Sequence, residues 1–174
     1  MSEELRYPIG DFEKPSDASA EKRSEWIATI RELPSNIDAA VKGLGEDKID
    51  TPYRPEGWTI RQVVHHVADS HLNAYCRFKL ALTEENPTIK PYDEGAWASL
   101  SDSEMDPSVS LQLIDSVHRR FANLLEHMTE SDFSRTLDHP DSGAWELSKM
   151  LALYAWHSKH HTAHITSLRE RNGW

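Results

Sequence analysis

Trp156-His157-Ser158-Lys159-His160-His161-Thr162-Ala163-His164-Ile165 gathers four of the chain's ten histidines into eight positions. Neither proline nor glycine interrupts the sequence from Glu146 to Arg171, so this segment reads as one long helix. Residues four apart on a helix stand one above the other on the same face, and two imidazoles so related can chelate one ion. His157/His161 is one candidate pair and His160/His164 the other. At roughly 100° per residue, Leu147, Met150, Leu151, Tyr154, Ile165 and Leu168 fall on one apolar stripe. His161 lies near the centre of that stripe and His157 on its flank. His164 lies further round, and His160 points mostly away with Leu153 and Trp156. Periodicity therefore favours His157 and His161 as the inward pair. Two desolvated imidazoles need partners for their ring nitrogens, a need that one shared metal ion meets for both.

Working outward, Thr59-Ile60-Arg61-Gln62 has the form of a capping box. The helix it opens runs to about Thr83 and carries Val63, Val64, Val67, Ala74, Tyr75, Phe78 and Leu82. It also carries His65, His66 and His71, of which periodicity puts His71 nearest the apolar stripe, His66 at its edge and His65 outside. Asp106-Pro107 starts another helix, with an N-cap followed by proline at the first helical position. That helix holds Val109, Leu111, Leu113, Ile114, Val117, Phe121, Leu124, Leu125 and Met128. His118 and His127 lie on this segment without a partner at metal spacing and are expected to be surface or structural residues. From Ser19 to about Gly43, Trp26, Ile27, Ile30, Leu33, Ile37, Ala40 and Val41 recur at helical spacing, and Pro34 is expected to kink or break the run. Gly173 suits a C-cap for the last helix.

Four helices of about 20 residues or more, with no strand pattern of period two, define an all-α four-helix bundle. It forms a single domain over residues 1–174, with residues 1–18 as an extended N-terminal arm that Tyr7, Ile9 and Phe12 could anchor. The connection over 84–106 is long enough to carry a function, and covering a site or wrapping the bundle suit it equally. Thr129 to Ala144 reads as an irregular connection. Two connections of this length argue against a simple up-down order.

Composition narrows the function. The formal net charge of −10 argues against nucleic-acid binding, which needs a basic footprint. No apolar stretch approaches the length of a membrane span, and Met-Ser-Glu-Glu-Leu-Arg lacks the apolar run of a signal peptide. The one cysteine, Cys76, cannot form an intramolecular disulfide and is expected to be a small core filler. A cytoplasmic location is expected.

Gly57-Trp58-Thr59-Ile60-Arg61-Gln62-Val63-Val64-His65-His66-Val67-Ala68-Asp69-Ser70-His71, taken with the late His-x-x-x-His helix, resembles the DinB/YfiT-like superfamily and its YfiT branch. Tyr7-Pro8-Ile9-Gly10, Arg77-Phe78-Lys79-Leu80, Pro91-Tyr92-Asp93, Trp156-His157-Ser158 and Ala163-His164-Ile165 extend the resemblance over nearly the whole chain. The resemblance implies one divalent metal ion per chain, held by His66, His157 and His161. At the last helix it agrees with periodicity, and at the earlier helix it overrules it. His65, His160 and His164 go beyond the minimum motif, and His164 stands where many relatives have glutamine. These three and Asp69 are the candidates for the layer behind the ligands, with Glu146 also conceivable, although no spacing demands either carboxylate.

Three neutral imidazoles leave a divalent ion its full charge and an open position, as in catalytic rather than closed structural sites. Imidazole suits zinc, nickel, copper and iron alike; zinc or nickel is the expectation. No H-E-x-x-H helix supplies a general base. The resemblance implies a metal-dependent hydrolase that activates water and acts on a small molecule. It equally brings in bacillithiol S-transferases, in which a low-molecular-weight thiol would be held as the thiolate. Arg54, Arg61 and Arg77 are available to meet such a thiol's carboxylates. A non-catalytic metal-binding stress protein is the third reading, although a bundle with this apolar periodicity hardly needs a metal to fold. The resemblance also implies a homodimer, with no nucleic-acid or membrane partner.

Overall fold

The computed structural model describes residues 2–174, with side chains from Glu4 onward. Four long helices dominate: α2 (Ala20–Val41), α4 (Ile60–Thr83), α6 (Pro107–Glu126) and α8 (Leu147–Asn172). Short elements decorate the connections: α1 (Ser2–Arg6), α3 (Glu46–Ile49), α5 (Glu94–Trp97), a 3₁₀ turn (Ser101–Glu104), α7 (Glu130–Phe133), and strands β1 (Thr136–His139) and β2 (Gly143–Glu146). α2 packs along α6 and α8, and α4 packs along the same two helices. α2 therefore stands diagonally opposite α4, and α6 opposite α8, a topology that the long connections make possible. No helix among the described residues is long and apolar enough to cross a membrane.

The helix starts follow local chemistry. At α4 the Thr59 hydroxyl accepts from the Gln62 amide at 3.2 Å and the Gln62 side chain accepts from the Thr59 amide at 3.0 Å, so two orphan donors are satisfied reciprocally. The Asp106 carboxylate caps α6 through the Ser108 amide at 2.8 Å, with Pro107 at the first helical position. α8 ends on Gly173, whose φ of 68° gives the left-handed cap that glycine adopts without penalty.

Several expectations need correcting. α2 runs unbroken through Pro34: the proline removes one intrahelical donor, and packing against two neighbouring helices holds the helix together around it. Residues 129–144 are not irregular, because α7 is followed by an antiparallel hairpin pairing Thr136 with Glu146 and Leu137 with Trp145. Its four-residue strands are too short to show a period. The arm begins with α1 and is held through Phe12, whose ring lies 5.9 Å from that of Trp156, and Tyr7, 5.9 Å from the ring of His160. Ile9 is exposed. So is Cys76, which lies on the outer face of α4 rather than in the core.

The 84–106 connection wraps α4. Gln62 donates to the Ala98 carbonyl at 2.9 Å and Arg61 to the Met105 carbonyl at 3.1 Å. The buried Arg61 also donates to Asp50 at 2.7 Å and pairs with Glu46, which ties α3, α4 and the connection together.

The apolar core is in two parts. One gathers Ile30, Ala74, Phe78, Phe121, Leu125, Leu147, Leu151 and Tyr154. The other gathers Leu33, Ile37, Val63, Val64, Val67, Ile114, Ile165 and Leu168. Phe78 and Phe121 are fully buried, each contributing about 1.5–3 kcal/mol through removal of its ring from water. Between the two parts along α4, α6 and α8 come His71, His118, and His157, His161 and His164, with His66 among the second part's residues on α4. A polar layer thus crosses the middle of the bundle.

Candidate metal centre

α4 and α8 bring His66, His157 and His161 together, with one ligating atom of each lying within 4.8 Å of the others. It is the only such group of three or more metal-binding side chains among the described residues. The Nε2 atoms of His66 and His157 stand 3.3 Å apart. Two nitrogens each about 2.0–2.1 Å from one tetrahedral ion are separated by about 3.3 Å, so this spacing fits a shared ion. Trp58 forms one wall, its ring 4.6 Å from His66 and 6.5 Å from His161.

Electrostatics keep the nitrogens bare. Burial lowers the pKa of His66 to about 4, with His164 adding repulsion. Burial and then the neighbouring histidines hold His157 and His161 well below the ordinary imidazole range. No carboxylate figures among these causes. Three neutral imidazoles with their lone pairs available are the donor set that a divalent transition metal takes.

The rings behind the three are less as the sequence suggested. His164 does stand behind His161, Nδ1 to Nδ1 at 3.3 Å, and its Nε2 donates to the Arg6 carbonyl of the arm at 2.9 Å. Its ring stacks on Tyr53 at 3.9 Å. His160 is buried under the arm and stacked on Trp156 at 4.3 Å; it packs edge-on to His161 but makes no nitrogen contact with the cluster. His65 belongs elsewhere: its nitrogens bond the Ser110 hydroxyl at 2.7 Å and the Met105 carbonyl at 3.0 Å. Asp69 faces His65 and Asp102 under the same connection, and burial raises its pKa. Glu146 pairs with Lys149 at 3.2 Å at the start of α8. Neither carboxylate figures among the groups that act on the three histidines.

Sequence reasoning missed the residue behind His157. His71 Nε2 stands 3.1 Å from His157 Nδ1, with the ring fully buried. The signal was available, since periodicity placed His71 nearest the apolar stripe of α4. His118, expected to be surface or structural, is buried with its Nδ1 2.6 Å from the Ile30 carbonyl. His127 is exposed, bonding only the Asn123 carbonyl within its own helix.

Arg54, Arg61 and Arg77 do not converge. Arg54 bonds the Tyr53 hydroxyl, Arg61 is committed to Asp50 and Glu46, and Arg77 bonds the Tyr154 hydroxyl at 3.2 Å.

A diagonal four-helix bundle with three inward histidines on two facing helices defines a class of metal-site bundle. The chain belongs to the DinB superfamily, whose family model matches residues 29–165. It is 53% identical over 171 residues to a protein of Bacillus mycoides (strain KBAB4) named "Putative metal-dependent hydrolase", covering 98% of this chain and 99% of that one. A protein of Bacillus cereus (strain ZK / E33L) with the same name matches at the same identity and coverage. Among solved structures, YfiT from Bacillus subtilis, described as "a probable metal-dependent hydrolase with an unusual four-helix bundle topology", superposes with a TM-score of 0.95 at 49% identity, over 98% of this chain and 99% of that one. A mycothiol-dependent maleylpyruvate isomerase shares the fold at a TM-score of 0.67 and 17% identity, over 82% of this chain and 60% of that one.

Proposed function

We propose that the protein is a metal-dependent hydrolase acting on a small molecule, with His66, His157 and His161 holding one divalent ion, zinc or nickel. The observation that carries this is the trio itself: three neutral imidazoles on rigid helices, His66 and His161 buried and His157 half-buried, with two of them already at the separation that one ion imposes. Such an ion supplies Lewis acidity and eases deprotonation of a water molecule. The chain's own residues do the rest. α4 and α8 fix where the nitrogens stand, Trp58 excludes solvent from one side, and His71 and His164 orient two of the rings from behind. The relatives' names support the same class of reaction.

A second reading, a thiol S-transferase, draws support from one feature. No carboxylate figures among the groups acting on the three histidines. A thiol held as its thiolate needs no protein base, whereas hydrolysis gains from one.

The test is metal content per chain by elemental analysis of untagged protein. The His157→Ala/His161→Ala variant should fall to near zero while keeping its helical circular dichroism. His160→Ala/His164→Ala should still load, more weakly. Ester and amide hydrolysis is then assayed against consumption of a low-molecular-weight thiol with an electrophile. Retention of the ion by the first variant would overturn the assignment.

A further inference from the structure

His71 and His118 hold two buried nitrogen atoms that find no hydrogen-bond partner among the described residues: Nδ1 of His71 and Nε2 of His118. Their rings lie 4.8 Å apart between centroids. Buried polar atoms are nearly always paired, so two orphans on neighbouring rings call for an account. Each ring's other nitrogen supplies one.

Begin at α2. Residue 34 is proline, so the Ile30 carbonyl lacks the amide donor that the helix would otherwise give it. His118 Nδ1 stands 2.6 Å from that carbonyl. A carbonyl only accepts, so the proton of His118 is on Nδ1, and Nε2 of the neutral ring is a bare lone pair.

Now begin at the other end. Nε2 of His157 faces Nε2 of His66, where an ion would be shared, and must be bare to ligate. The proton of His157 is then on Nδ1, which stands 3.1 Å from His71 Nε2 and donates to it. Nε2 of His71 is thereby the acceptor, and its proton is on Nδ1. The two orphaned atoms are consequently one donor and one acceptor. Rings so placed join after a small rotation or through one shared water.

We infer that Pro34, His118 and His71 form a positioning line that runs from α2 through α6 and α4 to His157, fixing the tautomer and ring orientation in which its Nε2 faces the metal. The inference rests on the metal-centre reading above. Neutral rings suit it: burial holds all three histidines below the ordinary range, with His118 at about 4. His71 and His118 are positioning residues, since neither touches the ion or the substrate.

Two measurements on the full chain test the line. The first is Zn²⁺ affinity by competition with a chromophoric chelator for wild type, His71→Leu and His71→Gln. Leucine removes the acceptor, and glutamine offers a carbonyl oxygen near the position of Nε2. Loss of such a partner costs about 10–100-fold in metal affinity, so that loss is expected for His71→Leu, with recovery to within about 3-fold of wild type for His71→Gln. The second is a long-range ¹⁵N–¹H correlation spectrum of the Zn²⁺-loaded wild type, which needs no variant to fold. It should show both His71 and His118 protonated on Nδ1. A proton on Nε2 of either ring, or undiminished Zn²⁺ affinity in a folded His71→Leu, overturns the line while leaving the metal centre in place. A folded wild type that takes up no Zn²⁺ overturns both together.

Discussion

His157 and His161 are neighbours on one face of α8, and each is held from behind by another imidazole, but the two supports end in different kinds of structure. Behind His157 come His71 and His118 and then the Ile30 carbonyl, with both rings at most 1% exposed. Behind His161 comes His164 and then the Arg6 carbonyl, on an arm held by Phe12, Tyr7 and one bond from Trp156 to the Gly10 carbonyl at 3.2 Å. The first support opens only if the bundle opens. The second can be released by local unfolding of a terminal segment, which costs far less than global unfolding. One proposed ligand is thus fixed with the core, and the other is fixed by a strap. The same hydrogen-bond chemistry serves two levels of permanence within one site.

The largest effect that would sharpen this contrast is acid sensitivity of the metal-free protein. His118 is neutral in the fold down to about 4, whereas its ordinary value is 6.5. Between those pH values the unfolded chain binds more protons, so stability is full above about pH 6.5 and falls as the pH drops towards 4. His118 alone accounts for about 3 kcal/mol of that loss. His118→Asn keeps a donor for Ile30 but takes up no proton. Its urea-unfolding free energy should therefore vary less steeply over this range. An equally steep dependence would show that the core line does not carry the sensitivity.

An intermediate effect is expected from removing residues 1–12. The bundle should remain folded, and Zn²⁺ affinity should weaken by about 3–10-fold, less than on loss of the acceptor behind His157. Chelator competition measures both on one scale. A loss equal to that of His71→Leu would erase the distinction between strap and core. The smallest effect belongs to Trp156→Phe, which keeps a ring on His160 but deletes the bond to Gly10. It should cost about 1 kcal/mol or less, visible chiefly as faster proteolytic clipping of the arm.

How much of this was legible in the sequence follows from what periodicity measures. It finds burial, and burial selected His157 and His161 because on α8 the face that carries the clustered histidines and the core face coincide. On α4 they do not. His71, the deeper ring, lies nearer the stripe than His66, so periodicity alone ranked the histidine behind the cluster above the one proposed as ligand. Only the resemblance selected His66. Pro34 was read as a kink or a break because a missing donor is a local fact, while the packing that holds α2 together is not. Asp69 and His65 were candidates for the layer behind the proposed ligands, but their side chains leave α4 on the face covered by the 84–106 connection. The bundle itself was plain, since each long helix has its own cap and stripe. The hairpin was hidden by the brevity of its strands.

The diagonal order of the helices has a consequence for how the protein comes into being. His66 and His157 are 91 residues apart in the chain and lie on helices that meet only when α8 docks. Contacts between residues so distant form late, because loop closure must precede them. During synthesis, α2, α4 and α6 emerge before any complete trio exists. An early ion would find only His66 of the three, so the proposed centre is not complete until α8 has been made. Metal uptake in a refolding experiment should therefore lag the recovery of helical signal, and would serve as a clock for the final docking step.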